Sequence, residues 1–353
     1  MNGSRGDLAH LYRRAGFGGR PDEIEAAVAT GYGATVERLL DRSLPDPAAA
    51  ISPPQLTANY IPPSRDPATA QAEARSLAGE GRALGLWWLQ RMAAASSPLA
   101  EKLTLHWHGH FATSLQKVRF PQLMYDQNQI FRTMGAGNFA SLTQAVAKDP
   151  AMLIWLDAST DKKSHPNENF ARELMELFTL GIGNYSEEDV RQAARCFTGW
   201  AFDRQTGSFA YQVRQHDDGV KTVLGRTGDL AGEDVIDLVT HSPVGARYVA
   251  AKLWSHLAYP VTPSDAVVTD ITASYAADLD LTALLRTIFL HPRFTSDTAI
   301  TGLVKQPIEY VVGSLRALRL PVDQPLVPAL LQEMGQVPFA PPSVGGWPQN
   351  NYW

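Results

Sequence analysis

The residues able to do chemistry in this 353-residue chain concentrate in three short stretches. The first is Leu105-His106-Trp107-His108-Gly109-His110-Phe111, where three of the chain's nine histidines fall within five positions. Imidazole is the usual nitrogen ligand of transition metals and an acid or base near neutral pH. On a regular helix His106 and His110 share a face and His108 points away, so at most two reach one ion unless Gly109 turns the chain. In the second stretch, Asn167 to Phe178 (NENFARELMELF), Phe170, Leu174, Leu177 and Phe178 form an apolar stripe. Opposite it Glu168, Arg172 and Glu176 stand at i, i+4 spacing, which suits an exposed ladder of ion pairs. Asn169 and Glu173 lie at the stripe's edge, where a half-buried carboxylate needs an arginine, a histidine or a metal beside it. The third stretch, His216-Asp217-Asp218-Gly219-Val220-Lys221, reads as a plain turn or as an acid/base or ligand cluster carried on a loop.

Two functions from different classes follow. In one, the chain is a metal-assisted hydrolase: His108, His110, His216 and Asp217 hold or orient a divalent transition metal, and Glu173 is the general base, with Glu176, Arg172 and Lys221 beside it. In the other, the chain is a non-catalytic partner or assembly module, and the same groups form a buried hydrogen-bonded network that sets helix register. The sequence holds no GxxxxGK[ST] loop, no HExxH, no GxSxG and no CxxC. Gly16-Phe17-Gly18-Gly19 follows no strand and reads as a turn before Pro21. Lys252, inside YVAAKLWSHL, is expected to snorkel or pair. Trp87, Trp88 and Trp107 sit at helical positions that favour the core over a carbohydrate-binding face.

The elements that must carry these residues are mainly helical. Asp22 to Leu40 reads as two short helices broken near Gly31 and Gly33, and Ala68 to Ala112 as two more, the second capped by Ser97-Pro98. Gln122 to Met134, Phe139 to Ala147, Asn167 to Leu180 and Glu187 to Phe197 continue the pattern, Gly181 serving as a C-cap. Phe209 to Gln215 and Val220 to Leu224 are expected to pair as a hairpin across His216 to Gly219. Helices resume at Val235–Thr240, Val244–Leu257, after Pro263, Thr282–Phe289 and Pro307–Leu318. The expected fold is a single multi-helix domain, mainly α, with a small β-hairpin insertion near 200–225. Within it, residues 1–43 form an N-terminal helical arm, 44–67 a Pro-rich connector or strap, and 68–353 the main body.

Composition limits the partners. The formal charge is −5, with 44% hydrophobic and 19% charged residues, which excludes a disordered chain and argues against nucleic-acid binding. The single cysteine, Cys196, allows no internal disulfide. No apolar run approaches the ~20 residues of a membrane span, and the N-terminus lacks a signal peptide's apolar core, so the sequence as given reads as soluble and cytoplasmic.

WHGHFATS at 107–114, DPAML at 149–153, PNENFARELMELFTLGIGNYSEEDV at 166–190, ARCFTGW at 194–200, HDDGVKTVLG at 216–225 and FAPPSVGGWP at 339–348 together resemble the domain-of-unknown-function 1800 family of bacteria. With His10-Leu11-Tyr12-Arg13-Arg14-Ala15-Gly16-Phe17-Gly18 at the start, the likeness covers nearly the whole chain. It carries the family motif onto His108, His110, Asn167, Glu168, Asn169, Arg172, Glu173, Glu176, His216, Asp217 and Lys221. The chain departs from the pattern at His106 and at Ala158-Ser159-Thr160. The resemblance implies little about activity; it implies members that are often exported, and a partner of the domain-of-unknown-function 1501 family, which resembles the alkaline-phosphatase and sulfatase fold. A chain that begins near this motif and stops at Trp353 reads as trimmed at its C-terminus.

Overall fold

A computed structural model describes residues 3–159, 161–322, 326–349 and 352–353. Thr160, in the loop that departs from the family pattern, lies outside them. The arm folds as α1 (Arg5–Arg14), α2 (Pro21–Thr30) and α3 (Tyr32–Leu40). Ser4 and Asp7 close a capping box on α1, and Gly31, at φ 90°, separates α2 from α3. The Pro-rich stretch forms one 3-10 turn, Pro47–Ala50, and otherwise straps α4 (Pro67–Ala94). Its hold is polar: Trp87 Nε1 donates to the Ile51 carbonyl (3.0 Å), Arg91 to the Ala48 carbonyl (2.6 Å), and Thr57 Oγ1 to Glu80 (2.6 Å).

Next come α5 (Leu99–His110), α6 (Leu115–Val118), α7 (Pro121–Met134), α8 (Phe139–Ala147) and α9 (Pro150–Trp155). α10 (Glu168–Glu173) runs straight into a π-helical turn, Leu174–Thr179, and Gly181 stops it at φ 80°. After α11 (Glu187–Phe197) the chain makes two small antiparallel hairpins, β1 (Trp200–Asp203) with β2 (Ser208–Tyr211) and β3 (Lys221–Val223) with β4 (Arg226–Gly228). The helices α12 (Gly232–Thr240), α13 (Pro243–Leu257), α14 (Ala266–Thr272), α15 (Leu281–Leu290), α16 (Asp297–Thr301), α17 (Pro307–Leu318) and α18 (Leu326–Glu333) complete it. The protein is mainly α with small hairpins, and no described helix is long and apolar enough to cross a membrane.

One strand pairing differs from the sequence reading. Phe209 does not pair with the 220–224 segment; it pairs with Phe202, while Val223 pairs with Arg226. Gly207 (φ 73°) and Gly225 (φ 81°) supply the left-handed positions at these two turns. His216 to Gly219 therefore links two hairpins. There Asp217 Oδ1 accepts from the Gly219 amide at 2.9 Å, which bends the chain without a strand pair.

Apolar side chains form two clusters. The larger joins the arm (Leu8, Leu11, Val36) to α8, α10, α13 and α15; the smaller surrounds Trp87 and Trp88 on α4 and includes Ile308, Phe339 and Trp347. α5 lies between them, giving Leu99, Leu103 and Trp107 to the first and Leu105 to the second. It is consequently buried nearly all round, charged residues included. Arg316 ties the arm to the body, donating to the carbonyls of Ala93 (2.6 Å) and Ala95 (2.8 Å) and to both oxygens of Glu23 (3.0 and 3.1 Å).

Glu101 is the densest polar node. Its carboxylate accepts from Trp88 Nε1 (3.0 Å), Arg91 Nε (2.9 Å), and Arg132 Nε and Nη2 (2.8 and 3.0 Å), joining α4, α5 and α7. Burial pushes this carboxyl up, but Arg132 and Arg91 outweigh that and hold it below the ordinary glutamate value. Glu101→Ala leaves two guanidiniums in the interior without a counter-charge. The expected loss is about 3–5 kcal/mol, read from the urea unfolding midpoint at constant m-value; a loss below ~1 kcal/mol would contradict the node.

Candidate functional site

Each α5 histidine meets a different neighbourhood. His108 is enclosed by aromatics, with ring centroids 5.5 Å from Trp88, 5.5 Å from Phe339 and 5.2 Å from Trp347. The loop carrying Phe339 and Trp347 closes over α5 because Gly346, at φ 81°, brings its backbone against Gly109; a Cβ there would sit 2.1 Å from the Gly109 oxygen. Burial lowers His108 to about 3, so the ring is neutral. His110 shares a face with His106, as the spacing required, at 6.0 Å between stacked rings. Its Nε2 lies 2.9 Å from the Phe178 carbonyl; a carbonyl only accepts, so Nε2 carries the proton.

His106 also packs against His256 of α13, the rings tilted with centroids 4.6 Å apart, and neither Nε2 has a partner among the described residues. Burial lowers His106, helped by the charges of His256 and His110, and lowers His256 to about 3. His256 and Glu309 of α17 line one small polar pocket with Ser255, Gln306 and Gln349, about 10 Å³ in volume. Glu309 is ion-paired with Lys102, whose side chain is buried. Burial raises the Glu309 carboxyl, and Lys102 and His256 pull it below its ordinary value. The sequence reading missed Lys102, His256 and Glu309. The available signal was spacing: Lys102, His106 and His110 repeat at i, i+4 on a helix that is otherwise apolar on that side.

The second motif meets the first at the π turn. Leu177 and Phe178 lie in the last turn of this helix, where carbonyls have no intrahelical donor. Tyr248 Oη donates to Leu177 O at 2.9 Å, and His110 to Phe178 O, so α13 and α5 supply the missing donors. The ladder expected from spacing forms only in part. Arg172 donates to Glu168 (3.1 Å) and also to both oxygens of Glu187 on α11 (2.7 and 2.8 Å). The π turn inserts an extra residue and carries Glu176 off the ladder, where it accepts from Tyr185 Oη at 2.7 Å. The same turn leaves Leu177 half-buried and puts Met175 fully inside. Glu173 is half-buried with no hydrogen bond among the described residues; burial, then the charge of Glu176, raises it. Asn167 caps α10, and Asn169 is exposed. Lys252 is exposed, its Nζ 5.3 Å from the Tyr248 ring centroid, as a snorkelling lysine should be.

The third motif is engaged elsewhere. Arg195 of α11 donates to both oxygens of Asp217 (2.7 and 3.1 Å), and this hydrogen-bonded pair lowers the carboxyl to about 2. His216 Nδ1 lies 2.8 Å from the Thr198 carbonyl. Lys221 is buried on β3 and donates to the Leu230 carbonyl (3.0 Å) and to Asp229 (3.3 Å). The ligand set expected from sequence is therefore not brought together. His108 sits among aromatics, His110 faces the π turn, and His216 and Asp217 belong to the loop beside α11. Among the described residues, no group of three or more His, Cys, Asp and Glu could hold a metal ion. Residues 106–110 lie on α5, whereas residues 216–217 lie in a loop that Arg195 of α11 holds.

Concave apolar surface lies apart from the motifs. One cleft of about 420 Å³ runs between α4, α6 and α18; a second, of about 300 Å³, lies between α4 and the strap, and Ala74, Leu77 and Arg119 line both.

Two buried carboxyls remain. Asp149, cap of α9, receives Gln127 Nε2 (2.6 Å) and the Met152 amide (3.1 Å) on one oxygen only, and burial raises it to about 7; burial also raises Asp161 to about 7. The histidines dominate the acid response. In the unfolded chain each of the five imidazoles that burial lowers furthest (His10, His106, His108, His110, His256) binds a proton below pH ~6.5 that the folded protein excludes. Stability is thus lost as pH falls, by about 2 kcal/mol per ring at pH 5. Asp149 and Asp161 act the other way, since their folded forms hold protons that the unfolded chain releases above pH ~4. Five rings outweigh two carboxyls, so Tm falls from pH 7 to pH 5. Asp149→Asn, which keeps a capping side chain, steepens the fall. A Tm that is flat over this range would contradict buried neutral imidazoles.

No curated protein and no solved structure matches this chain. The family described as "Protein of unknown function (DUF1800)" matches residues 10–353, which takes in all three motifs, Lys102, His256 and Glu309, and the loop that closes over His108. The chain therefore belongs to that family.

Proposed function

We propose that this chain is a non-catalytic binding or assembly module whose ionisable motifs are internal struts. One observation carries the reading: apart from His108 and Glu173, the motif groups that a hydrolase would use are already bonded to other parts of the chain. Arg172 is spent on Glu187, Asp217 on Arg195, Lys221 on Leu230, Glu176 on Tyr185, His216 on Thr198 and His110 on Phe178. Each contact joins two segments, as a register-setting network does. Two apolar clefts on α4 offer surface for recognition. The partner we propose for it is a protein of the domain-of-unknown-function 1501 family, as the family resemblance implies.

Glu173 is the group that a hydrolase reading retains, being raised and without a hydrogen bond among the described residues. The two readings separate on metal content and stability. Protein purified without chelator is expected to carry only traces of transition metal by elemental analysis, in the wild type and in His108→Ala alike. Lys221→Met is expected to lower stability by ~1–3 kcal/mol, the cost of an orphaned buried carbonyl. Glu173→Gln leaves Tm unchanged or higher. A stoichiometric metal that His108→Ala removes would overturn the module in favour of a metal-assisted hydrolase.

A further inference from the structure

We infer that the larger cleft is a binding site for a single-chain amphipathic anion, an acyl chain ending in a carboxylate. This deepens the module reading, on which it rests, by naming the ligand class.

At about 420 Å³ the cleft falls within the ~300–1,000 Å³ of small-molecule sites. Gly81 and Gly85 of α4 form one wall, and Leu115, Leu331 and Pro338 face them. Both glycines are buried, and without side chains they let α4 approach the opposite wall closely. A Cβ on Gly81 would lie 3.0 Å from Leu115 Cδ1, and one on Gly85 would lie 3.7 Å from Pro338 Cβ. A wall this smooth and apolar suits an unbranched methylene chain better than a polar ligand.

The polar end is cationic. Arg82 and Arg119 line the cleft, both are exposed, and neither forms an ion pair among the described residues. No carboxylate among the described residues lines this cleft; Glu73 and Glu80 line the second one, where they accept from the Ser64 amide and from Thr57. Arg119 stands where the two clefts meet. It caps α6 at φ 66°, a left-handed position where glycine is the unstrained choice. Its side chain is exposed and lines both clefts. Carboxylate is the anion whose geometry the guanidinium fork matches, while the second cleft leaves room for a longer tail.

The test is calorimetric titration of the whole chain with sodium dodecanoate below its micelle concentration, beside hexanoate and dodecyltrimethylammonium. Saturable binding of dodecanoate is expected, tighter than hexanoate, with the cationic amphiphile binding weakly. Arg119→Gln should weaken dodecanoate roughly tenfold or more, the worth of a charge-assisted hydrogen bond. Gly85→Leu should abolish binding by filling the channel. Ala74→Trp, at an exposed α4 position lining both clefts, should weaken it without touching the core, and melting curves check that both variants fold. Absence of saturable binding, or equal affinity in wild type, Gly85→Leu and Ala74→Trp, would overturn the inference. So would binding to phosphatidylglycerol vesicles without binding of monomeric dodecanoate, which would assign the cations to a membrane surface. A chain that takes up no dodecanoate, yet holds no metal and loses stability in Lys221→Met, loses this inference and keeps the module reading.

Discussion

A helix buried nearly all round that nonetheless carries charge is the constraint on which the rest of this protein depends. α5 brings Glu101, Lys102, His106 and His108 inside. A buried charge left alone costs several kcal/mol, so another element has to meet each one. Arg91 and Arg132 reach Glu101 from α4 and α7, Glu309 reaches Lys102 from α17, and the histidines are kept neutral by burial, His106 packing against His256 of α13. The partners lie from ten to 207 positions away along the chain, and supplying them fixes how four helices lie around the fifth.

The three motifs extend the same logic outward. His110 completes the end of the π turn, which rotates Glu176 to Tyr185 and leaves Arg172 to hold α10 against α11. α11 in turn holds the linker between the hairpins through Arg195 and Asp217. A continuous set of contacts therefore runs from the buried helix α5 to the half-buried loop between the hairpins. That is how residues with the look of an active site come to be engaged as structure. The apolar clefts on α4 owe their shape to a different feature, glycines and alanines on a helix face that the strap and α18 flank without covering.

Much of the architecture was legible in the sequence because its signals are local. Helix boundaries followed caps and periodicity: Gly31, Ser186 and Gly181 stop or start helices where their residue types say they should. Trp87, Trp88 and Trp107 are core, as helical positions suggested. Strand pairing was misread at 209–224, since a His-Asp-Asp-Gly run can close a hairpin or link two. The choice lay with Gly207 and Gly225, which turn the chain closer to each strand. The π turn was equally invisible, because one inserted residue leaves the helical pattern nearly intact while rotating every side chain beyond it.

For the candidate site, sequence alone determined which side chains could titrate and which of them shared a helix face. His106 and His110 stack as their spacing required, and Glu168 pairs with Arg172. It could not determine who meets whom across more than one helix. His256 and Glu309 lie some hundred and fifty to two hundred positions from the residues they meet on α5, and no local pattern names them. Only tertiary packing decided that Asp217 faces Arg195, that His108 faces aromatic rings, and that the open surface lies on α4. The physical reason is range: propensity, capping and periodicity act over one or two turns. The pairing of buried charge is settled by which distant surfaces exclude water together.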